Sequence, residues 1–539
     1  MIVANWRAGR SVAMALVVLT LAVPVGAQSP AAAAQPGPAS GQVRTLTIDE
    51  AVRLALENNL GLQLQRIDPL VQDENVREAR TAWTPILEGL FNYNDADQPP
   101  ESILSGSEGV LQTDVLTGNV GVSQLLPWWG TSYFVGWDNN RLETNNVFTN
   151  FNPRIRSGFA LSVVQPLLRD ASIDSSRVQY LVSQKNREIS DEQLRATVVN
   201  TVRATKNAYW ELAYAVANLQ AQRQSLELAK QTLKDNQTRV RVGTMAPIDI
   251  VEAEAEVARN EEHVIVAEAG ITRAEDQLRF IIFDPKRENV WQMSLEPTGY
   301  QAELQTPQAV DGVAALTNAL EKRTDLVESR KQLENVDFNL KYYRNQTLPT
   351  VTAQLDLSGA GVGGTEIIRG EGFPGPIIGT AEKSFGEIQG DVFSYKYPTW
   401  AIGVSLSYPL GTSVAETSLA RAKLQRQQVE TQQRTLEFQV GTEVREYARQ
   451  VNTNVKRIEA TRAARTLAER RLEAEQKKFG VGMSTSFLVF QAQRDLAQAR
   501  SQELSAILEY NKSLVDFETV QEAPVSGGGI TLASSSGGM

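Results

Sequence analysis

The residue types that carry most enzyme chemistry are scarce in this 539-residue chain. It has no cysteine, which excludes a thiol nucleophile. Its single histidine, His263, is too few for a site in which several histidines bind a metal, and it leaves little basis for a histidine-containing triad. No G-x-x-x-x-G-K-[ST] segment is present that could cradle phosphates. A hydrolase that uses a carboxylate pair is the enzyme class left open, but the carboxylates fall on helical faces without converging. We therefore expect no enzyme activity, no cofactor and no metal.

One group of carboxylates has a regular spacing. Asp249, Glu252 and Glu256 are separated by three and four residues, which places them on one face of a helix. If several copies met on one axis, such a row would favour cations. The alternative is that these carboxylates have no role in a pore, and that the one near the helix N-terminus is simply stabilised by the helix dipole.

The start of the chain has the layout of a secretory signal peptide. Arg7 and Arg10 precede the apolar run SVAMALVVLTLAVPV, and a small-x-small cleavage site ends at Ala27. We expect residues 1–27 to be removed, 28–42 to form a disordered lead-in and 523–539 to form a disordered tail. The formal charge of −10 argues against nucleic acid as a partner, because nucleic-acid-binding surfaces are basic.

Four landmarks recur in the same order, which indicates an internal duplication. The segment ALENNLGL at 55–62 matches ALEKRTDL at 319–326, and the other aligned pairs are Pro85 with Pro349, Pro166 with Pro409, and Gly243 with Gly482. We predict structural repeats at 43–283 and 313–522, joined by an equatorial linker at 284–312.

Each repeat contains strands, predicted at about 86–166 and 350–409, in which apolar and polar residues alternate. Such strands suit either a lipid-facing β-barrel or a soluble two-sheet sandwich. Two to four strands per repeat cannot close a membrane barrel, so a barrel would have to be shared between chains. The segment 119–140 predicts an added hairpin that lies inside or outside this barrel, and Gly/Asn/Asp-rich stretches at 94–117, 138–156 and 359–398 are expected to be loops.

Two stretches without proline, about 173–240 and 412–479, predict helices on the order of 100 Å long at ~1.5 Å per residue. Their narrow apolar stripe repeats every 11 residues in the second copy, which favours straight packing in a wall over a wide globular core. A plain coiled-coil dimer or bundle is the alternative. Sharp turns are predicted at about 241–247 and 480–486, where Gly480 and Gly482 are expected to supply positive φ.

At these residues the chain resembles the TolC family of outer-membrane efflux proteins. The resemblance covers most of 45–522 and rests on the duplicated helix–strand–strand–helix order, the VGT and VGM turns, and the tail FLVFQAQRDLAQARSQELSAILEYNKSLVDFE. It implies a mixed α and β fold, in which long antiparallel helices form an α-barrel of coiled-coil pairs and three protomers share one transmembrane β-barrel.

The resemblance further implies a passive homotrimeric exit duct in the bacterial outer membrane that extends into the periplasm. Its partners would be outer-membrane lipid, a periplasmic adaptor, and an inner-membrane pump of the RND, ABC or MFS type. A periplasmic coiled-coil scaffold or adhesin without transport activity is the alternative. The sequence does not indicate the cargo, the pump or the adaptor.

The resemblance also assigns site residues. It implies that the turns dock the adaptor and that the acidic row forms a pore constriction. The docking residues are Val242, Gly243, Thr244, Val481, Gly482 and Met483, and the constriction residues are Asp249, Glu252 and Glu256. Some relatives carry polar locking residues where this chain has Ser484 and Leu488, so the way in which the tip opens is left open.

Overall fold

The computed structural model describes residues 43–99, 109–286, 290–298, 308–372 and 375–525. The expected signal peptide and lead-in lie outside these ranges, as does most of the expected tail. Residues 523–525 differ from the expectation, because Ala523 and Val525 are buried against the helices. Arg203 Nη1 donates to the carbonyl oxygen of Val525 at 3.1 Å, so the packed chain continues past the predicted boundary.

The first half of the chain passes from a short strand through three helices into four strands and two long helices. Its elements are β1 (Val43–Leu46), α1 (Ile48–Asn58), α2 (Leu60–Gln65), α3 (Ile67–Thr81), β2 (Ile86–Gln98), β3 (Leu111–Leu125), β4 (Ser132–Thr144), β5 (Phe151–Pro166), α4 (Ser175–Arg241) and α5 (Ile248–Ile282).

The second half repeats this order with fewer long strands. Its elements are β6 (Ser294–Pro297), α6 (Gly312–Lys322), α7 (Thr324–Gln346), β7 (Thr350–Arg369), β8 (Ile377–Lys383), α8 (Phe385–Phe393), β9 (Pro398–Ser407), α9 (Val414–Gly480) and α10 (Ser486–Val520). The strand β6 pairs in parallel with β1. The predicted mixed fold of long antiparallel helices with a sheet is confirmed.

One antiparallel sheet contains the long strands of both halves. Its order is β2-β3-β4-β5-β7, and β8 and β9 share the far edge of β7. There β9 pairs with residues 350–359 of β7 and β8 pairs with residues 364–369. The hairpin predicted at 119–140 is β3–β4, which lies within the sheet between β2 and β5.

The two faces of this sheet differ in polarity. One row of directly paired residues crosses all six strand positions and is entirely apolar: Leu87, Val122, Val135, Leu161, Leu357 and Trp400. The adjacent row points to the other face and is polar or small: Glu88, Gly121, Gly136, Ala160, Ser358 and Thr399. We call these the apolar face and the polar face of the sheet.

Where the structure describes them, the stretches expected to be loops are largely strand, and 359–398 also contains a helix. α8 lies on the apolar face, where a Cβ added to Gly361 would come within 2.5 Å of the Ile388 carbonyl oxygen. Gln389 of α8 donates to Ser157 Oγ at 2.8 Å and accepts from Trp137 Nε1 at 3.1 Å. Glycine is therefore abundant here because a helix packs closely on the strand, and the loop expectation was wrong.

The helices form two long antiparallel pairs, α4 with α5 and α9 with α10. α4 and α9 each have 67 residues, which corresponds to about 100 Å. Val440, Val444 and Val451 of the predicted narrow stripe are fully buried, and they pack with α6, α7 and α10 in an equatorial core. No helix within the described ranges is both long enough and apolar enough to cross a membrane.

Candidate functional site at the helical tip

The two turns at the far ends of α4 and α9 close in the same way. In the first, Gly243 N donates to Val240 O at 3.0 Å and Thr244 N donates to Arg239 O at 2.9 Å. This nested pair of bonds is a Schellman motif, which requires a residue in the left-handed region just past the helix. Gly243 has φ of +76°, a conformation that glycine adopts without a Cβ penalty.

The second turn repeats this geometry at the end of α9. Gly482 N donates to Phe479 O at 3.2 Å, and Met483 N donates to Lys478 O at 2.8 Å. Gly482 has φ of +77°. Gly480 is the last residue of α9 and is not among the glycines with positive φ, so the expectation that both glycines adopt this conformation was wrong for Gly480.

The apolar side chains of both turns are exposed to solvent in the single chain. The exposed fractions are 66% for Val242, 73% for Val481 and 78% for Met483. Thr244 is exposed as well. The residues that the resemblance assigns to adaptor docking therefore form an accessible apolar end, about one helix length away from the sheet.

Asp249 lies in the first turn of α5 and bonds to the neighbouring hairpin. Ser486 Oγ, at the start of α10, donates to Asp249 Oδ1 at 2.7 Å. Asn236 Nδ2 of α4 lies 3.5 Å from the backbone carbonyl oxygen of Asp249. Asp249 is half-buried, and Glu252, one turn further along α5, is exposed.

Glu256 has different surroundings from the other two carboxylates. Its side chain is only 6% exposed, and its Oε2 lies 2.9 Å from Arg259 Nη1 and 2.9 Å from Arg494 Nη1. Two guanidinium groups thus offset its charge inside the wall of the protomer. Asp249 and Glu256 both bond to residues of α10, whereas Glu252 between them is exposed. Glu256 is not positioned as a free pore charge in this chain.

Further bonds join the two hairpins beside the turns. The Arg239 guanidinium lies 4.3 Å from the centre of the Phe479 ring, and Arg239 Nη1 donates to the Phe479 carbonyl oxygen at 3.1 Å. Deeper in the wall, Gln493 Nε2 donates to Thr232 Oγ1 at 3.0 Å. These contacts are not predictable from the sequence, because their partners are more than 200 residues apart and no periodicity relates them.

Ser484 and Leu488 make local contacts within the second hairpin. Ser484 Oγ donates to Glu475 Oε2 at 2.8 Å, and Lys478 Nζ lies 2.7 Å from Glu475 Oε1. Lys478 and then Ser484 hold the pKa of the Glu475 carboxyl below its usual value. The Leu488 backbone N–H faces Thr485 Oγ1 at 3.4 Å. The polar contacts between hairpins are instead made at Asp249, Glu256, Arg239 and Gln493.

The duplicated halves that build this tip are also the segments that match a known family. The sequence model described as outer membrane efflux protein matches residues 51–282 and 315–519. The chain belongs to the outer membrane efflux protein family. The resemblance stated from the sequence is therefore confirmed. As a member of this family, the protein is an efflux channel of the bacterial outer membrane that extends into the periplasm, and it is not an enzyme.

The chain is also similar to individual relatives in sequence or in fold. The chain is 24% identical over 348 residues to the outer membrane protein TolC of Vibrio cholerae serotype O1, covering 64% of this chain and 72% of the relative. Its fold is similar to that of CusC, with a TM-score of 0.61, 13% identity, and coverage of 88% and 92% of the two chains. The outer membrane protein VceC of Vibrio cholerae gives a TM-score of 0.59 at 15% identity, with coverage of 89% and 97%.

Proposed function

We propose that three copies of this chain assemble into one passive duct through the outer membrane and the periplasm. The observation that carries the proposal is the unpaired outer edge of the sheet on each side. Among the described strands, β2 pairs only with β3, and β9 pairs only with β7. In lipid an unpaired strand edge leaves backbone N–H and C=O groups unsatisfied, so spanning sheets close into barrels. Neighbouring copies supply the missing partners.

The apolar face of the sheet indicates which side of the closed barrel faces outwards. Trp400, Ile402, Val404 and Leu406 of β9 all lie exposed on that face, and Leu87 and Phe91 of β2 do the same. A closed sheet with this face outwards presents to lipid the apolar side chains that α8 leaves uncovered, and it encloses the polar face. The long helices then continue the enclosed space towards the inner membrane.

The energy for transport comes from partners. The chain has no phosphate-binding loop, and a channel by itself only lets cargo pass. We propose that an inner-membrane pump delivers cargo and that a periplasmic adaptor docks on Val242–Thr244 and Val481–Met483. The exposure of Val242, Val481 and Met483 at the end of the helices supports this assignment, because exposed apolar clusters mark protein contacts.

The experiment that tests the proposal uses the absence of native cysteines. Met483→Cys and, as a control, Val313→Cys are expressed in the native host and treated with a bismaleimide. Both positions are exposed in the chain, with fractions of 78% and 76%, but Val313 lies in the equatorial α6. We expect Met483→Cys to cross-link to a periplasmic adaptor, identified by mass spectrometry, and Val313→Cys not to do so.

The purified protein can also be used to measure the number of chains in the assembly. In detergent, light scattering of the purified protein is expected to give the mass of three chains. A chain that stays dissolved as a monomer without detergent would contradict the duct. A trimer in which Met483→Cys and Val313→Cys react equally with the adaptor would overturn the docking assignment and leave the trimer intact.

A further inference from the structure

We infer that the hairpin β3–β4 is part of the membrane wall, so that each chain contributes six strand positions and the closed barrel contains eighteen. The inference rests on the proposed trimer but goes beyond it, because it fixes the size of the outlet. A hairpin of this kind could instead plug the lumen or project from the barrel. Three observations favour the wall.

The first observation is the continuity of the hydrogen-bonded ladders. β3 pairs with β2 from Ile86–Ser123 to Gln98–Leu111 without a shift of register. β4 pairs with β5 from Ser132–Val164 to Leu142–Arg154, again without a shift. The hairpin therefore separates β2 from β5 along almost their whole length. A plug or an external hairpin would leave those two strands paired with each other.

The second observation is that the hairpin keeps the two faces of the sheet. Val120, Val122 and Val135 lie on the apolar face, in line with Leu161 of β5 and Leu357 of β7. At the level of these valines, the opposite side of the hairpin carries Asn119, Gly121, Ser123, Gly136 and Asp138 beside the Phe134 ring. A plug surrounded by water would have no reason to continue the apolar row of its neighbours.

The polar face of the hairpin also contains one aromatic ring with a local explanation. A Cβ added to Gly121 or Gly136 would come within 2.8 Å or 2.7 Å of the Phe134 ring. The ring thus contacts Gly121 of β3 and Gly136 of its own strand, and Phe134 is 38% exposed. This face of the hairpin is polar or small around Asn119, Gly136 and Asp138, and it carries apolar side chains at Phe134 and at the Val115–Leu142 pair nearer the other end of the strands.

The third observation is the position of the hairpin turn. Trp128 and Trp129 in the turn are 57% and 68% exposed. Gln165 Nε2 donates to the Trp129 carbonyl oxygen at 3.0 Å, and Gln124 Nε2 donates to the Trp83 carbonyl oxygen at 2.7 Å. The turn is thereby held at the end of the sheet where α3 ends. In a membrane this level is the periplasmic boundary, where tryptophan is enriched.

The consequence is a wide outlet. Without the hairpin each chain would contribute four strand positions, and the three chains together twelve. Since barrel diameter grows roughly linearly with strand number, eighteen strands give a barrel about one and a half times as wide. Between copies, the edge of β2 then meets the edge formed by β8 and β9 of the next chain.

Single cysteines in the cysteine-free chain test the inference. Val120→Cys, Val122→Cys and Val135→Cys probe the apolar side of the hairpin, and Asn119→Cys, Ser123→Cys and Asp138→Cys probe the polar side. Ile402→Cys on β9 is the reference for lipid exposure, and Ser405→Cys is its polar counterpart. Each trimer is labelled with bimane and placed in phosphatidylcholine vesicles with or without nitroxide-labelled lipid.

We expect nitroxide lipid to quench bimane at the three valine positions as strongly as at Ile402→Cys, and at least threefold more than at the polar positions. Because each side is probed by several cysteine variants, the two sides can still be compared if one variant fails to assemble. Quenching at Ile402→Cys but at no hairpin position would overturn the eighteen-stranded wall and leave the trimeric duct. Absence of quenching at every position, with the protein remaining outside the vesicles, would contradict both.

Discussion

Asp249 and Glu256 lie seven residues apart on α5, but their electrostatic roles differ. Glu256 is buried between Arg259 and Arg494, so little of its field reaches the solvent. Asp249 accepts a hydrogen bond from the Ser486 hydroxyl, which is neutral and leaves the negative charge uncompensated. Any acidic constriction at the tip therefore depends on Asp249 and the exposed Glu252, and Glu256 has a structural role.

Asp249→Asn is expected to reduce the cation selectivity of the channel. Asparagine can still accept the bond from Ser486, so the substitution removes charge with little change in shape. At ~10 Å in water one unit charge attracts a monovalent cation by about 0.4 kcal/mol, and three copies would add up to about 1 kcal/mol. The permeability ratio of cations to anions should fall roughly fivefold.

Reversal potentials in a salt gradient at low ionic strength measure this ratio, since salt screens the effect. Glu254→Gln is the matched control, because Glu254 is an exposed carboxylate on a different side of α5. Equal ratios for Asp249→Asn and the unmodified protein would show that Asp249 does not face the pore.

At the scale of the element, the α9–α10 turn contains two glycines with opposite requirements. Gly482 has φ of +77°, whereas Gly480 is the last helical residue of α9. A Cβ at either position would meet no atom within 4 Å, so packing does not distinguish them. The effect of a methyl group is therefore set by backbone torsion alone.

Gly482→Ala is expected to destabilise the turn by about 1 kcal/mol, because alanine is disfavoured in the left-handed region. Gly480→Ala is expected to stabilise the end of α9 by up to about 1 kcal/mol, since alanine is the better helix former. Hydrogen exchange of residues 475–490 should become faster in the first variant and slower in the second. The same direction of change in both variants would contradict the torsional explanation.

At the scale of the whole molecule, the tip is a contact between the two halves of the duplication. The α4–α5 hairpin comes from the first half and the α9–α10 hairpin from the second. Arg494 of α10 joins them by its bond to Glu256, whereas Arg259 bonds to the same oxygen from within α5. Substituting each arginine in turn therefore compares the loss of a bond between the hairpins with the loss of a bond within one hairpin.

Arg494→Ala is expected to loosen the tip more than Arg259→Ala does. Both variants remove one charged hydrogen bond from a buried carboxylate, at a cost of about 1.5–3 kcal/mol. Only Arg494→Ala removes a bond between α5 and α10, which leaves the Ser486–Asp249 bond as the remaining polar contact described between them, so it should increase the single-channel conductance or the open time at the tip. Similar conductance in the two variants, at similar thermal stability, would show that this contact does not hold the tip closed.

Much of the architecture follows from local information in the chain. The duplication, the alternating strands, the long helices and the glycine turns are all visible in the sequence, because periodicity and backbone torsion depend on near neighbours. Errors arose where local composition was misleading. Glycine-rich residues 359–363 suggested a loop, but they form a strand that receives α8.

The sequence by itself determined the duplication, the long helices with their alternating strands, and the sharp turn between the two long helices of each half. Only the tertiary structure decided that β3–β4 lies between β2 and β5, and that Glu256 of α5 pairs with Arg494 of α10. The physical reason is that strand order and side-chain pairing are selected by contacts between distant residues. Glu256 and Arg494, for example, are 238 residues apart, and no local pattern encodes which partner a face will meet.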